Sequence, residues 1–269
     1  MYEEPYRWIE AIGNRRQYLD GQFRQGSPVI GIGWDAGILL MTTSKGTPKL
    51  YEIYDRLALG GMGHPADLEK LRFHLLEMAH VEGFNRSPSD VTGGRIVKYG
   101  IAPVIKQAFE EVFKAPFIVK ILLAELGQKV EKDRFLTVNF DGTFEEKSQY
   151  AVLAASPAIE QEMAAYLRQQ SVVSLEQAVN VAVCSWAVGD RAQRQTLEES
   201  RDQLKGQDAP ARLASDSDLL YEHIRQCMHG MTIECALLDR HVPVSSKYRA
   251  LAPDELERLL PNDLGHPTT

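Results

Sequence analysis

The feature that most limits what this chain can become is a pair of apolar runs, residues 29–34 (VIGIGW) and 38–43 (ILLMTT), separated by Asp35, Ala36 and Gly37. Asp and Gly suit the tight backbone geometry of a turn, so the two runs predict a β-hairpin. A second pair, residues 49–54 and 56–62, divides near Asp55, and the polar stretch 42–47 between the pairs is turn chemistry. These runs are apolar almost continuously instead of alternating with polar residues. Strands of that kind are covered on both faces, so the chain needs further layers on either side of its sheets.

The rest of the chain supplies those layers. Residues 5–24 read as a polar, amphipathic helix rich in Arg and Gln, ended by Gly26. After the hairpins, residues 65–84 carry Leu68, Leu71, Leu75 and Met78 at helical spacing. A second helix is expected from Ser89, with Asp90 in its first turn and a stripe of Val97, Ile101, Val104, Ala108 and Val112; Pro116 closes the region. Strands are expected at 117–126, 134–140 and 148–155, with Asp141-Gly142 as the turn between the last two. Helices follow at 157–170, opened by Pro157, and at 174–188, where Ser174 is the cap and Leu175, Val179, Val183 and Trp186 form the buried face. From Gly189 to about Met228 the sequence turns polar and is read as a flexible, extended insertion with a helix near 219–227. A strand at 232–238, another at 247–251 and a short helix at 253–260 complete the pattern, and residues 261–269 are a tail. Runs of strands alternating with pairs of helices predict an α+β fold, a four-layer αββα sandwich of two antiparallel sheets flanked by helices. In domain terms, residues 1–26 form an amino-terminal helix and residues 27–260 one domain carrying the insertion at about 190–228.

Composition removes several functions. A net charge of −7 with no clustered basic face argues against nucleic acid as a partner. Cys184, Cys227 and Cys235 are scattered, as in a reducing compartment, and show no metal-ligand spacing. The histidines fall mostly alone, and His74 and His80, six apart, do not share a helical face, so neither a metal nor any other cofactor is expected. The start, MYEEPYRWIEAIG, is acidic and lacks the apolar core of a signal peptide. The longest uncharged apolar stretch, residues 178–189, is too short to span a bilayer, so a cytoplasmic location away from membranes is expected.

Three segments carry a resemblance. GSPVIGIGWDAGILLMTT (26–43) resembles the first hairpin of proteasome subunits, KLYEIYDRLALGGMG (49–63) their second, and NRSPSDVTGGRIV (85–97) the entry to the second helix in bacterial α-type subunits. With the order of elements, the chain is similar to that branch of the N-terminal-nucleophile hydrolases over about residues 5–188 and 230–260. A catalytic β-type subunit needs an amino-terminal Thr whose free amine acts as base, a Lys that lowers the local pKa and an orienting Asp. On this resemblance the nucleophile position falls on Ser27 after Gly26, the acid position on Thr43, which carries no charge, and the basic position on Lys49. The helix ahead of Ser27 corresponds to the α-type extension.

The resemblance therefore implies a non-catalytic α-type subunit. Seven copies would form a ring that caps a ring of β-type subunits, with the amino-terminal segment gating the passage of unfolded protein substrates. Lys49, with Gly26 and Gly63, would line a pocket that receives the C-terminal carboxylate of a regulatory ring ATPase. Lys49 is also readable as a solvated strand-end lysine, and the glycines equally as tight turns. The alternatives are a self-compartmentalising Ser/Thr N-terminal-nucleophile peptidase processed before Ser27, and a stand-alone scaffold without either partner.

Overall fold

The computed structural model describes residues 4–111, 113–203, 217–227 and 230–260. Helix α1 (Glu4–Phe23) leads into the hairpins β1 (Val29–Trp34)–β2 (Gly37–Ser44) and β3 (Leu50–Tyr54)–β4 (Leu57–Gly63). Helices α2 (Pro65–Asn85), α3 (Gly93–Ile96) and α4 (Ala102–Glu110) precede strands β5 (Val119–Glu125), β6 (Arg134–Val138), β7 (Phe144–Lys147) and β8 (Tyr150–Leu153). Helices α5 (Pro157–Arg168), α6 (Leu175–Gln203) and α7 (Ser217–Cys227) come next, then β9 (Thr232–Asp239), β10 (Tyr248–Ala250) and α8 (Pro253–Leu259).

The strands form two five-stranded antiparallel sheets, in the orders β10-β9-β2-β1-β8 and β3-β4-β5-β6-β7. The reason for the continuous apolar runs is visible along β5. Successive side chains leave a strand on opposite faces. Val119, Ile121 and Leu123 enter the core under α2–α4, while Leu122 and Ala124 enter the core shared with the other sheet. Strand β4 divides in the same way, Leu57 and Leu59 outward, Ala58 and Met62 inward. On the opposite side α5 and α6 cover β8, β1 and β2. The αββα sandwich expected from the sequence is the observed architecture.

Between the layers lies the one buried cation among the described residues, Lys120. The Lys120 ammonium donates to the Ala154 carbonyl at 2.7 Å, approaches Glu160 Oε1 at 3.5 Å, and sits over the Phe23 ring. It links β5 to the other sheet's edge, and its partners offset the cost of burying a charge. No described helix is long and apolar enough to cross a membrane.

Four expectations are corrected. Asp141-Gly142 turns β6 into β7, an unexpected fourth strand, and the chain then crosses to the other sheet as β8. Strand β7 was missed because its sequence, FEEK, is exposed and charged, an edge strand with no apolar signal. The second helix begins at Gly93, not at Ser89, which lies in a 3₁₀ turn capped by Ser87. Beyond Val97 and Ile101 its buried face is Ile105 and Phe109, one residue later than expected at each turn. A π-helical turn, Val97–Ile101, inserts an extra residue into the helical repeat and shifts the phase; Val112 lies outside the described residues. The helix expected to end at 188 continues to Gln203, so the first part of the supposed flexible insertion is helical, as is Ser217–Cys227. Its polar residues are compatible with order because Asp190 and Gln193 are buried with hydrogen-bond partners. Residues 204–216, the tail 261–269 and the first three residues of the amino-terminal segment lie outside the described residues.

Candidate functional site

Every site residue named from the sequence lines one cavity. Gly26 and Ser27 bring the chain from α1 into β1, Thr43 ends the apolar run of β2, Lys49 precedes β3, and Gly63 ends β4. Their walls enclose about 640 Å³ together with Gln193, Arg194 and Leu197 from α6 and Gln226 and Cys227 from α7. The charged lining residues are Arg24, Lys45, Lys49 and Arg194, with no carboxylate among the described ones. In a chain of net charge −7, this is a local cationic basin suited to an anion.

Ser27, expected from the resemblance at the nucleophile position, has a committed hydroxyl. It accepts hydrogen bonds from the Trp186 indole Nε1 at 2.9 Å and the Thr43 amide at 3.3 Å. Around it lie the Thr43 hydroxyl at 2.7 Å and the Thr42 hydroxyl and Pro28 carbonyl at 3.5 Å each, so no carboxylate or imidazole faces the Ser27 hydroxyl among these contacts. A hydroxyl is a weak base, so the Thr43 contact cannot activate Ser27 as a carboxylate-oriented base would. The Ser27 nitrogen is an amide following Gly26, and α1 packs ahead of it through buried Leu19 and Phe23.

Lys49 is held at both ends. Its amide donates to Glu234 Oε2 at 2.9 Å and its ammonium to the Thr43 carbonyl at 2.9 Å. Burial lowers its pKa from the ordinary lysine value; the Glu234 carboxylate opposes that shift and Lys45 adds to it. An ammonium depleted of water next to a second cation gains from an arriving carboxylate.

Both glycines line the cavity wall, and the space a side chain would need at each is already taken. A Cβ on Gly26 would point into Met62, 2.4 Å from its terminal methyl carbon. On Gly63, at φ +132°, it would lie 2.0 Å from the Ile118 carbonyl oxygen. Both directions lead into the protein, so the missing side chains permit close backbone packing instead of making room for a ligand. Gln193 Nε2 donates to the Gly26 carbonyl and fixes that corner.

Sequence reasoning missed the contribution of α6 and α7. Asp190, His223 and Cys227 meet at the rim, with His223 Nε2 2.9 Å from Asp190 Oδ2 and 3.5 Å from Cys227 Sγ. Both His223 and Cys227 fall in the helix expected near 219–227, where four residues apart they share one face, but Asp190 comes from another helix and only the packing of the two brings it to them. Burial and then Asp190 raise the Cys227 pKa. Burial alone would raise the Asp190 pKa as well, but hydrogen bonds from His223 and Arg194 bring it below the ordinary carboxylate range.

The fold is an αββα sandwich of two five-stranded antiparallel sheets in which Ser27 follows an amino-terminal helix. The chain is similar to bacterial proteasome α subunits. It is 30% identical over 146 residues to the proteasome subunit alpha of Acidimicrobium ferrooxidans, 54% of this chain and 62% of that one. Identity to the Thermobifida fusca proteasome subunit alpha is 27% over 65% of this chain and 70% of the relative. For the Nocardioides subunit it is 26%, over 93% of this chain and 86% of the relative. No protein-family model matches the chain. The matched stretch thus spans less than two thirds of the Acidimicrobium relative and well over that share of the Nocardioides one.

Proposed function

We propose that this chain is a non-catalytic α-type subunit of a proteasome core particle, which builds a ring with further copies of itself on a ring of β-type subunits. The amino-terminal helix gates the entry of unfolded polypeptide, and the cationic cavity receives the C-terminal carboxylate of a regulatory ATPase. The observation that carries the reading is the pairing of a committed Ser27 hydroxyl with a cavity at Lys49 whose charged lining residues, among the described ones, are all basic. The relatives named above support the subunit type, and the domain plan of one body behind a leading helix fits it.

The experiment combines the purified chain with a β-type subunit from the same genome and follows assembly, peptide hydrolysis and activator response. The chain alone is expected to keep its full 30.2 kDa mass and to hydrolyse no fluorogenic peptide. Loss of the 26 residues before Ser27, with turnover abolished by Ser27→Ala, would instead establish the peptidase reading. In the assembled particle Lys49→Ala is expected to preserve ring formation and basal cleavage while weakening binding of a carboxylate tail about tenfold or more, since a charged hydrogen bond contributes roughly 1.5–3 kcal/mol. A mutant that binds and answers its activator normally leaves Lys49 as a strand-end residue with no docking role.

A further inference from the structure

Asp190, His223 and Cys227 form a cluster that neither catalysis nor tail docking uses. Asp190 comes from α6, and the other two from one face of α7, spaced as a helical chelating pair. Asp190 is buried and His223 nearly so, its side chain 15% exposed. The three donor atoms lie within 4.8 Å of one another.

Two readings of such a trio differ in geometry. A nucleophilic Cys–His–Asp relay places the thiol against one imidazole nitrogen and the carboxylate against the other. Here Nε2 is the nearer nitrogen to the thiol, at 3.5 Å against 3.9 Å for Nδ1, and the same Nε2 faces Asp190 Oδ2 at 2.9 Å. The groups converge on one point and do not form a chain, which is the arrangement of ligands around an ion. A tetrahedral zinc with bonds of roughly 2.3 Å to sulfur and 2.0–2.1 Å to nitrogen and oxygen holds those atoms about 3.3–3.6 Å apart. The sulfur–nitrogen spacing already fits, and the nitrogen–oxygen pair needs to open by a few tenths of an ångström.

We propose that Asp190, His223 and Cys227 bind a zinc-like divalent ion that fastens α7 to α6. One thiolate, one imidazole and one carboxylate form a mixed set suited to a borderline-soft metal and poorly suited to calcium or magnesium. Arg194 holds Asp190 through Nε at 2.6 Å, but its side chain is half exposed and is free to swing toward solvent as the ion takes its place. Binding releases the Cys227 proton, so affinity rises with pH. Cys227 and Arg194 line the cationic cavity, so the ion's remaining coordination position is reached from that side and a water completes it. The ion adds positive charge to a basin already shaped for an anion and stiffens its α7 wall.

The test uses the full chain, stripped with a chelator and titrated with cobalt(II) and then zinc. A single equivalent of cobalt is expected to give a thiolate charge-transfer band that zinc displaces. His223→Gln and Cys227→Ser are each expected to lose the band and to weaken binding by more than the roughly 10–100-fold that follows loss of an outer-shell partner. Cys184→Ser and Cys235→Ser are expected to leave both unchanged. In the unsubstituted chain zinc is expected to protect Cys227 from alkylation, which reads the site without relying on a variant that folds. Absence of the band, its survival in Cys227→Ser, or alkylation of Cys227 at an undiminished rate under saturating zinc overturns the proposal.

Discussion

At the scale of single residues the chain distinguishes glycines that are required from glycines that are merely present. Gly63 and Gly46 both have positive φ, +132° and +101°, but a Cβ at Gly46 meets nothing within 4 Å. Gly46→Ala is therefore expected to cost about 1 kcal/mol, the backbone strain alone, and Gly63→Ala more than about 2 kcal/mol because the Ile118 carbonyl blocks it as well. Urea unfolding of the two variants measures the difference; equal losses would mean that the β4–β5 ladder relaxes around the new methyl group. Sequence alone placed Gly63 in the cavity wall but could not reveal the direction in which its absent side chain would point.

At the scale of elements the main surprise is how firmly the second half of α1 is docked. Arg15 donates through Nη1 and Nη2 to the carbonyls of Ala108, Phe109, Glu111 and Lys114, satisfying the end of α4. Phe23 stacks on Phe140, and Arg16 pairs with Asp141 at 2.9 Å while lying over Phe109 and Phe140. Burial would by itself raise the Asp141 pKa, but hydrogen bonds from Thr143 and Arg16 bring it below the ordinary value. A carboxyl depressed in the folded state contributes stability above its unfolded pKa, about 3.9, and loses it as pH falls through the folded value. The stability gap between wild type and Arg16→Ala is thus expected to be present at neutral pH and to shrink below about pH 4. A gap that stays constant down to pH 2 would assign the Arg16 contribution to its ring contacts alone. The first half of α1 is different: Trp8 and Ile9 are exposed.

At the scale of the whole molecule, apolar surface is unevenly spread. Phe73, Val81 and Phe84 leave α2 on one exposed face, with Phe84 91% exposed. Exposed apolar side chains on one helix face can serve a subunit contact, and ring assembly under the proposed function would supply the partner. Phe84→Asp is expected to shift the chain toward smaller species in sedimentation or native mass measurements while changing its own unfolding free energy by no more than about 0.5 kcal/mol. Unchanged assembly would place the subunit contact on another face.

The sequence by itself determined the hairpins, the helix pairs and the layered class, because burial on both faces writes an uninterrupted apolar signal into a strand and a three-to-four-residue repeat into a helix. It also pointed to Gly26, Ser27, Thr43, Lys49 and Gly63, through the resemblance of local motifs to a known family, and all five line one cavity. Three things were decided only by tertiary structure. Strand β7 exists through the backbone partner that β6 offers, since its own side chains are exposed and charged. Helix α6 outlasts its apolar face because Asp190 and Gln193 find partners on α7 and at Gly26. The Asp190–His223–Cys227 cluster arises from two helices distant in sequence, and no local pattern encodes a contact that only their packing creates.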